Sequence, residues 1–141
     1  MSENTSNVDF SAFGSDLDEI FEAPVWTDPE PVELVIKSAR AGEKNGRPWL
    51  MVNFEIVDET GYDEITEFLS LPQPDATPRQ IRANRAQRAS FALATGFDWS
   101  TFTGDTTELV GLRCWAELKV IPNKREGGSQ NAIKKYITPA A

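Results

Sequence analysis

The sequence predicts a mainly β fold with one α-helix, and three observations lead to this class. Five segments alternate apolar and polar residues with the period of two that is typical of β-strands. One segment, which begins at Thr77-Pro78, carries the start signals of a helix instead. The connecting segments are rich in glycine, proline, asparagine and aspartate, which favour turns. A chain of 141 residues is long enough for one domain with a single core.

The first two strands are predicted to form a hairpin over residues 31–40 and 49–57. Asn45-Gly46 lies between them, and this pair favours a tight turn. Because successive side chains of a strand point to opposite faces, each strand has an inward and an outward set. The inward set is Val32, Leu34, Ile36, Leu50, Val52, Phe54 and Ile56. The outward set is Glu33, Lys37, Trp49, Met51, Asn53 and Glu55.

The third strand is predicted for residues 64–71, after a turn in residues 58–63. The sequence does not decide which face of this strand points toward the core. Ile65 and Leu69 share one face, and they compete with Phe68 on the other.

The helix is predicted to begin after Thr77 and to end before Gly96. Thr77 as the cap, Pro78 at the first helical position and Gln80 three residues after the cap form a capping box. Glycine is the usual residue just past a helix end. The arginines of this segment are three residues apart, so they drift around the helix and are expected to be solvated surface positions. They are Arg79, Arg82, Arg85 and Arg88.

Residues 108–137 predict a closing hairpin, in which a basic, glycine-rich loop joins two strands. The inward set of its first strand is Leu112, Cys114, Ala116, Leu118 and Val120. The outward set is Arg113, Trp115, Glu117 and Lys119. Three strands, a helix and two strands is the element order of the OB-fold, a five-stranded barrel with its helix between the third and fourth strands. The predicted architecture is therefore an OB-like barrel over residues 31–141.

Residues 1–30 are predicted to form an acidic, flexible leader. They contain eight acids and no base, which accounts for the whole net charge of −8. The remaining chain carries 14 acids and all 14 bases, so positive charge can collect on one of its faces. A short amphipathic helix is predicted from Ser15, followed by an extended, proline-rich linker around Trp26. Three roles stay open for the leader: solvating disorder, screening of a basic groove, or recruitment of basic partners.

Composition excludes several classes of protein. The chain has no histidine, which argues against zinc sites and histidine-based catalysis. Cys114 is the only cysteine, so an intrachain disulfide is impossible, and its strand position predicts a buried thiol. No apolar run reaches the length of a membrane span, and the N-terminus lacks the features of a signal peptide. We therefore expect a cytoplasmic protein with no metal, no cofactor and no catalytic residues.

Trp115 is the first candidate binding residue, because it points outward between Arg113 and Lys119. An exposed ring beside cations suits an unpaired nucleobase and its phosphate. Trp49 and Tyr136 are the other predicted stacking residues, and Tyr136 is expected to share a face with Lys134. The alternative is that the helix, the leader or another subunit covers these rings. Trp99 and Phe102 lie in an irregular segment, where packing over the barrel end is an equally good interpretation.

In OB-folds the ligand commonly lies across strands two and three, between two flanking loops. The corresponding loops here are basic and carry Lys44, Arg47, Lys124 and Arg125. The alternative is that these cations serve solubility, as is common in short polar loops.

Several segments together carry a resemblance: Pro31-Val-Glu-Leu-Val-Ile, Trp49-Leu-Met-Val-Asn-Phe-Glu-Ile-Val, Ala94-Thr-Gly-Phe, Glu108-Leu-Val-Gly and Gln130-Asn-Ala-Ile-Lys-Lys-Tyr. With these segments the chain resembles, over roughly residues 9–138, a family of bacteriophage proteins first catalogued as a domain of unknown function. That family is associated with single-stranded DNA binding through an OB-like fold. The resemblance implies a non-sequence-specific single-stranded DNA-binding protein that acts in phage replication or recombination, in the cytoplasm of the infected bacterium.

Two other function classes compete with this prediction. An enzyme lacks support, because the chain has no histidine, no cysteine that looks accessible, no phosphate-binding loop and no convergent carboxylates. A non-enzymatic protein-interaction adaptor on a small β-barrel is the main alternative, because fold alone does not settle function. The expected partners are single-stranded DNA and, through the acidic leader, phage or host replication or recombination proteins. The sequence leaves open whether the protein forms a homo-oligomer.

Overall fold

The computed structural model describes residues 10–11 and 24–139. Within these ranges five antiparallel strands form one sheet, and one α-helix packs against it. The elements are β1 (Val32–Lys44), β2 (Arg47–Ile56), β3 (Ile65–Ser70), α1 (Pro78–Thr95), β4 (Arg113–Pro122) and β5 (Ser129–Ile137). The mainly β class and the place of the helix between the third and fourth strands are confirmed. The helix predicted from Ser15 lies outside the described residues.

The sheet is open, whereas the sequence predicts a closed barrel. Its order is β3-β2-β1-β4-β5, so β3 and β5 are the edges, and no strand ladder joins them in the described part of the chain. Side chains of α1 bind the free edge of β3 instead. Asn84 Nδ2 donates to the Ser70 carbonyl at 2.8 Å, and Gln87 Nε2 donates to the Phe68 carbonyl at 3.2 Å. These side chains of α1 thus satisfy backbone carbonyl groups on β3 that strand pairing with β5 would satisfy in a closed barrel.

The β1–β2 hairpin is longer than predicted, because both strands reach the Asn45-Gly46 turn. Asn45 and Gly46 have φ of 54° and 76°, as a two-residue hairpin turn with two left-handed residues requires. The register shifts between Ile36 and Ser38. This bulge moves Ala39 and Ala41 to the inner face, opposite Val52 and Leu50.

The core lies on the inner face of the sheet, under α1. It contains Val32, Leu34, Ile36, Leu50, Val52, Phe54, Ile56, Ile65, Leu69, Phe91, Leu109, Cys114, Ala116, Leu118 and Tyr136. The inward sets predicted for the first two strands are confirmed. In β4 the prediction is wrong at Val120, which is 45% exposed because β4 extends past the start of β1 there. Residues 108–112 contain the last residue of a 3-10 helix (Thr106–Glu108) and a turn before β4, whereas the sequence predicts strand.

The helix α1 begins and ends as predicted. Thr77 Oγ1 accepts from the Gln80 backbone N–H, and Gln80 Oε1 accepts from the Thr77 N–H, which completes the capping box. Gly96 ends the helix with φ of 77°, a left-handed conformation that glycine adopts without strain. Phe91 is the buried ring that joins α1 to the sheet, against Phe54 and Tyr136 at 6.4 and 6.0 Å.

One side-chain hydrogen bond links the two edge strands. The Tyr136 hydroxyl on β5 donates to Glu67 Oε2 on β3 at 2.9 Å, and Gln87 Nε2 donates to Glu67 Oε1 at 3.0 Å. Burial raises the pKa of Glu67 above its ordinary value of 4.5, and these two hydrogen bonds offset the increase only in part. Burial and the Glu67 charge also raise the pKa of Tyr136, so its hydroxyl stays protonated and serves as donor.

We expect Glu67→Gln to change how stability depends on pH. Because folding raises the pKa of Glu67, the native state binds more protons than the unfolded state just above pH 4.5. The free energy of unfolding of the wild type therefore loses a contribution as pH rises through the folded-state pKa. The neutral amide lacks this contribution, so the variant should gain stability relative to the wild type as pH rises above 4.5. Urea unfolding across this range measures the difference, and a constant difference would contradict the expectation.

The linker before β1 is fixed to β5 at Trp26. The backbone N–H of Trp26 donates to Asn131 Oδ1 at 2.8 Å, and Asn131 Nδ2 donates to the backbone carbonyl of Trp26 at 2.9 Å. The indole contacts the Tyr62 ring edge to face at 5.3 Å. Asn131 therefore has a structural role, which explains one polar residue of the Gln130–Tyr136 segment.

Candidate nucleic-acid interface

The candidate interface is the outer face of the sheet, which is turned away from the core. On β2 the outward residues alternate with buried ones, as predicted for Trp49, Met51 and Asn53. On β3 the register pairs Phe68 with Met51, so Phe68 points outward as well. Ile65 and Leu69 are buried, which settles the face of β3 that the sequence leaves open.

Trp49 and Phe68 form an aromatic pair on this face, here called the platform. Their ring centroids are 6.1 Å apart and their planes are inclined by 25°, which is a stacked arrangement. Phe68 is 50% exposed and Trp49 is half-buried. Flat, partly exposed rings of this kind can stack with bases of any identity, because every base has a π-face. The sequence pattern predicts the outward position of Trp49 but does not single out Phe68.

Gly42 holds the Trp49 indole close to the sheet. Gly42 is the cross-strand partner of Trp49 on β1. A Cβ atom on Gly42 would lie only 2.6 Å from Cζ2 of Trp49, closer than any real contact. The indole therefore lies over the β1 backbone, and only glycine leaves room for it there.

We expect Gly42→Ala to weaken oligo(dT) binding by displacing the Trp49 indole. The ring has to move away from the added methyl group and loses its alignment with Phe68. Fluorescence titration measures the loss of affinity. In a Trp49→Ala background the same glycine substitution should have little further effect on binding. An equal effect in both backgrounds would show that Gly42 does not act through the indole.

Three cations accompany the platform on the outer face of the hairpin, and Arg40, Lys44 and Arg47 are here called the basic hairpin. Arg40 Nη2 lies 3.5 Å from Sδ of Met51, the residue opposite Phe68. Arg47 donates to the Pro72 carbonyl, which fixes its guanidinium beside the start of β2. Lys44 is exposed and pairs with Arg47. The cations predicted in this loop therefore lie near Trp49, and Arg40, which the sequence did not single out, lies with them.

Lys124 and Arg125 lie elsewhere, in the exposed β4–β5 turn. Asn123 Oδ1 organises this turn by accepting from the backbone N–H groups of Arg125 and Glu126 at 3.2 and 3.1 Å. Val32 pairs with Ala116, so β4 runs past the N-terminal end of β1, whereas the basic hairpin lies at its C-terminal end. The structure thus places the two predicted basic loops beyond opposite ends of β1.

Trp115 points outward, as predicted, and is 51% exposed. Its cross-strand neighbours are Glu33 on β1 and Ile137 on β5. Arg113 Nη1 lies 3.7 Å from Glu33 Oε1, so part of the positive charge beside the ring is neutralised. Lys119 is exposed on the same strand.

Trp115 is far from the platform, although both are on the outer face. Their partners on β1, Glu33 and Gly42, are nine positions apart. That separation corresponds to at most about 30 Å of extended strand. The two tryptophans therefore do not form one continuous stack.

The orientation predicted for Tyr136 is wrong. Its ring is buried at 6% exposure in the core, so it is not available for stacking with a base. The cause is a register shift in the β4–β5 pair between Glu117 and Leu118, which leaves Lys134 without a cross-strand partner. Lys134 is exposed at this bulge while Tyr136 points inward opposite Ala116. The sequence contains no local signal for the bulge.

The described residues offer neither a metal-ligating cluster nor a reactive thiol. No cluster of three potential metal-ligating side chains occurs in residues 10–11 and 24–139. Burial raises the pKa of the Cys114 thiol to about 12, which keeps it protonated and unreactive. In the same ranges, no helix is long and apolar enough to cross a membrane.

Comparisons with known proteins add no assignment. No model of a known protein family matches the chain, and no curated protein matches it. The resemblance to phage single-stranded DNA-binding proteins therefore stays a prediction from the sequence.

Proposed function

We propose that the protein binds single-stranded DNA without sequence preference, across β2 and β3 on the outer face of the sheet. The observation that carries this proposal is the platform of Trp49 and Phe68 beside the basic hairpin. Stacking and phosphate attraction act on every nucleotide alike, so the pairing of rings and cations predicts affinity without base readout.

We also propose that the open sheet and its helix are an OB-like arrangement, which would support this function. The order of elements, the neighbours of β1 and the position of α1 agree with that fold, and the two edges approach each other at Tyr136 and Glu67. In OB-folds the faces of strands two and three carry the ligand, and here they carry the platform. We further propose that the protein acts in phage replication or recombination in the bacterial cytoplasm, with partner proteins bound through the acidic leader.

Tryptophan fluorescence during titration with oligo(dT) tests the proposal. We expect saturable quenching, since Trp49 would stack with a base, and a steep loss of affinity with added salt. For single strands log K changes with log salt concentration by about −0.7 per neutralised phosphate. Replacing Arg40 by glutamine should therefore flatten the slope by about 0.7. If oligo(dT) causes no fluorescence change and an independent assay also detects no binding, the proposal is overturned. The protein-interaction adaptor is then the remaining alternative.

We expect the contribution of Trp115 to depend on the length of the DNA. Because the β1 partners of Trp115 and Trp49 are nine positions apart, about 30 Å of extended strand, only a DNA long enough to span that distance can contact both. Trp115→Ala should leave the affinity for an oligo(dT) of about 4 nucleotides unchanged and weaken binding of one of about 16 nucleotides, the two ends of the range of OB-fold footprints. Trp49→Ala should weaken both. Equal effects of Trp115→Ala on both lengths would place Trp115 inside the primary interface.

A further inference from the structure

A cavity of about 650 Å³ opens at the end of the sheet, directly beside the platform. It is bounded by the β1–β2 hairpin, the end of β3, the helix α1 and the loop of residues 99–104. Trp49 lines this cavity as well as forming the platform. A base that leaves the platform can therefore enter the cavity while it stays in contact with the same indole.

The walls of the cavity are aromatic and rigid. Trp99, Phe102 and Leu71 line it together with Trp49. The Trp99 indole N–H donates to the Arg88 carbonyl at 3.0 Å, and its ring packs edge to face against Phe97 at 5.1 Å. These contacts hold Trp99 in place from α1 and from its own loop, so the wall exists before any ligand binds.

A cation lies at one side of the cavity. Arg88 is half-buried, and its Nε donates to Asn84 Oδ1 at 2.8 Å. In the described part of the chain no carboxylate forms an ion pair with it. Glu43, on the β1–β2 hairpin, also lines the cavity. Inside the cavity a phosphate is therefore favoured beside Arg88 and disfavoured beside Glu43.

Two hydroxyl groups also line the cavity, those of Ser70 and Thr103. A hydroxyl both donates and accepts hydrogen bonds, so it can pair with the polar edge of any base. The volume falls within the range typical of small-molecule sites, which is about 300–1,000 Å³.

We infer that this cavity holds one unstacked nucleobase of the bound strand, against the aromatic wall and with the attached phosphate at Arg88. The inference rests on the proposed function and adds a second mode of contact to it. The strand would stack on the platform with one base and insert a neighbouring base beside Trp49.

Titration with thymidine 5′-monophosphate tests the inference on the full chain. We expect binding in the millimolar range, observed as shifts of the indole N–H signals of Trp49 and Trp99 in nitrogen–proton NMR spectra. Arg88→Gln removes the cation, and Thr103→Phe fills the cavity from an exposed rim position. Both should abolish these shifts. Arg85→Gln, one turn away on α1 and not lining the cavity, is the matched control and should bind the nucleotide as the wild type does.

The same variants are then titrated with oligo(dT). We expect Thr103→Phe to weaken oligonucleotide binding severalfold without abolishing it, because the platform is intact. If oligo(dT) binds but the mononucleotide does not shift Trp99, the cavity inference is overturned and the proposed function stands. If the mononucleotide binds in the cavity and oligo(dT) does not bind, the proposed function fails and the site serves free nucleotides. If neither binds, both are overturned.

Discussion

Phe68→Ala is expected to weaken oligo(dT) binding by about 5- to 150-fold, the equivalent of about 1–3 kcal/mol for the loss of one stacked base. Phe68 is the more exposed member of the platform, with half of its surface accessible, so its removal takes little from the core. The thermal midpoint should therefore change little. Affinity measured by fluorescence titration and stability measured by calorimetry separate the two effects.

Leu93→Ala is the control for the loss of an exposed apolar side chain. Leu93 is 62% exposed on α1 and belongs neither to the platform nor to the cavity. It should leave oligo(dT) affinity unchanged. A Phe68→Ala protein that is stable and binds oligo(dT) as tightly as the wild type would contradict the role of the platform.

Tyr136→Ala is expected to lower the free energy of unfolding by about 3–5 kcal/mol, as for other large aromatic residues truncated in a core. The ring lies 6.0 Å from Phe91 and 6.5 Å from Phe54, between α1 and the sheet. The substitution also removes the donor to the half-buried Glu67 carboxylate. Chemical denaturation measures the loss.

Tyr136→Phe separates the ring from the hydroxyl. It keeps the packing and removes only the hydrogen bond to Glu67, so the expected cost is smaller, about 1–3 kcal/mol. Its affinity for oligo(dT) should equal that of the wild type. A Tyr136→Ala protein that keeps its stability but no longer binds oligo(dT) would contradict the buried position and support the stacking role that the sequence predicts.

The sequence predicts the fold wherever a local pattern decides the conformation. The inward side chains of the first two strands follow from strict alternation with polar residues. The turn follows from Asn45-Gly46, and the helix ends follow from Thr77 and Gly96. Each of these features depends on residues that are close in the chain.

The predictions from sequence are wrong or incomplete where contacts between residues distant in the chain determine which way a side chain points. Tyr136 points inward because a bulge at Lys134 reverses the alternation of β5, and pairing with β4 is what creates that bulge. The face of β3 is ambiguous because the polar Glu67 stands between Ile65 and Leu69 on the buried side. Glu67 is tolerated there because Tyr136 and Gln87, distant in sequence, donate to it.

The candidate site was predicted in part for the same reason. Trp49 and the cations Lys44 and Arg47 belong to one hairpin, so local alternation brings them together. Phe68 joins Trp49 only through the β2–β3 register. Arg88 reaches the cavity through the packing of α1, which the spacing of the helix arginines does not reveal.

Photo-crosslinking with oligo(dT) that carries 5-bromodeoxyuridine tests the central claim most directly, because it marks the side chains that contact the bases. After digestion and mass spectrometry we expect crosslinks at Trp49 and Phe68, in the peptides that contain β2 and β3. Crosslinks that occur only at Trp115, or only in the β4–β5 turn, would contradict the claim that single-stranded DNA stacks on the platform.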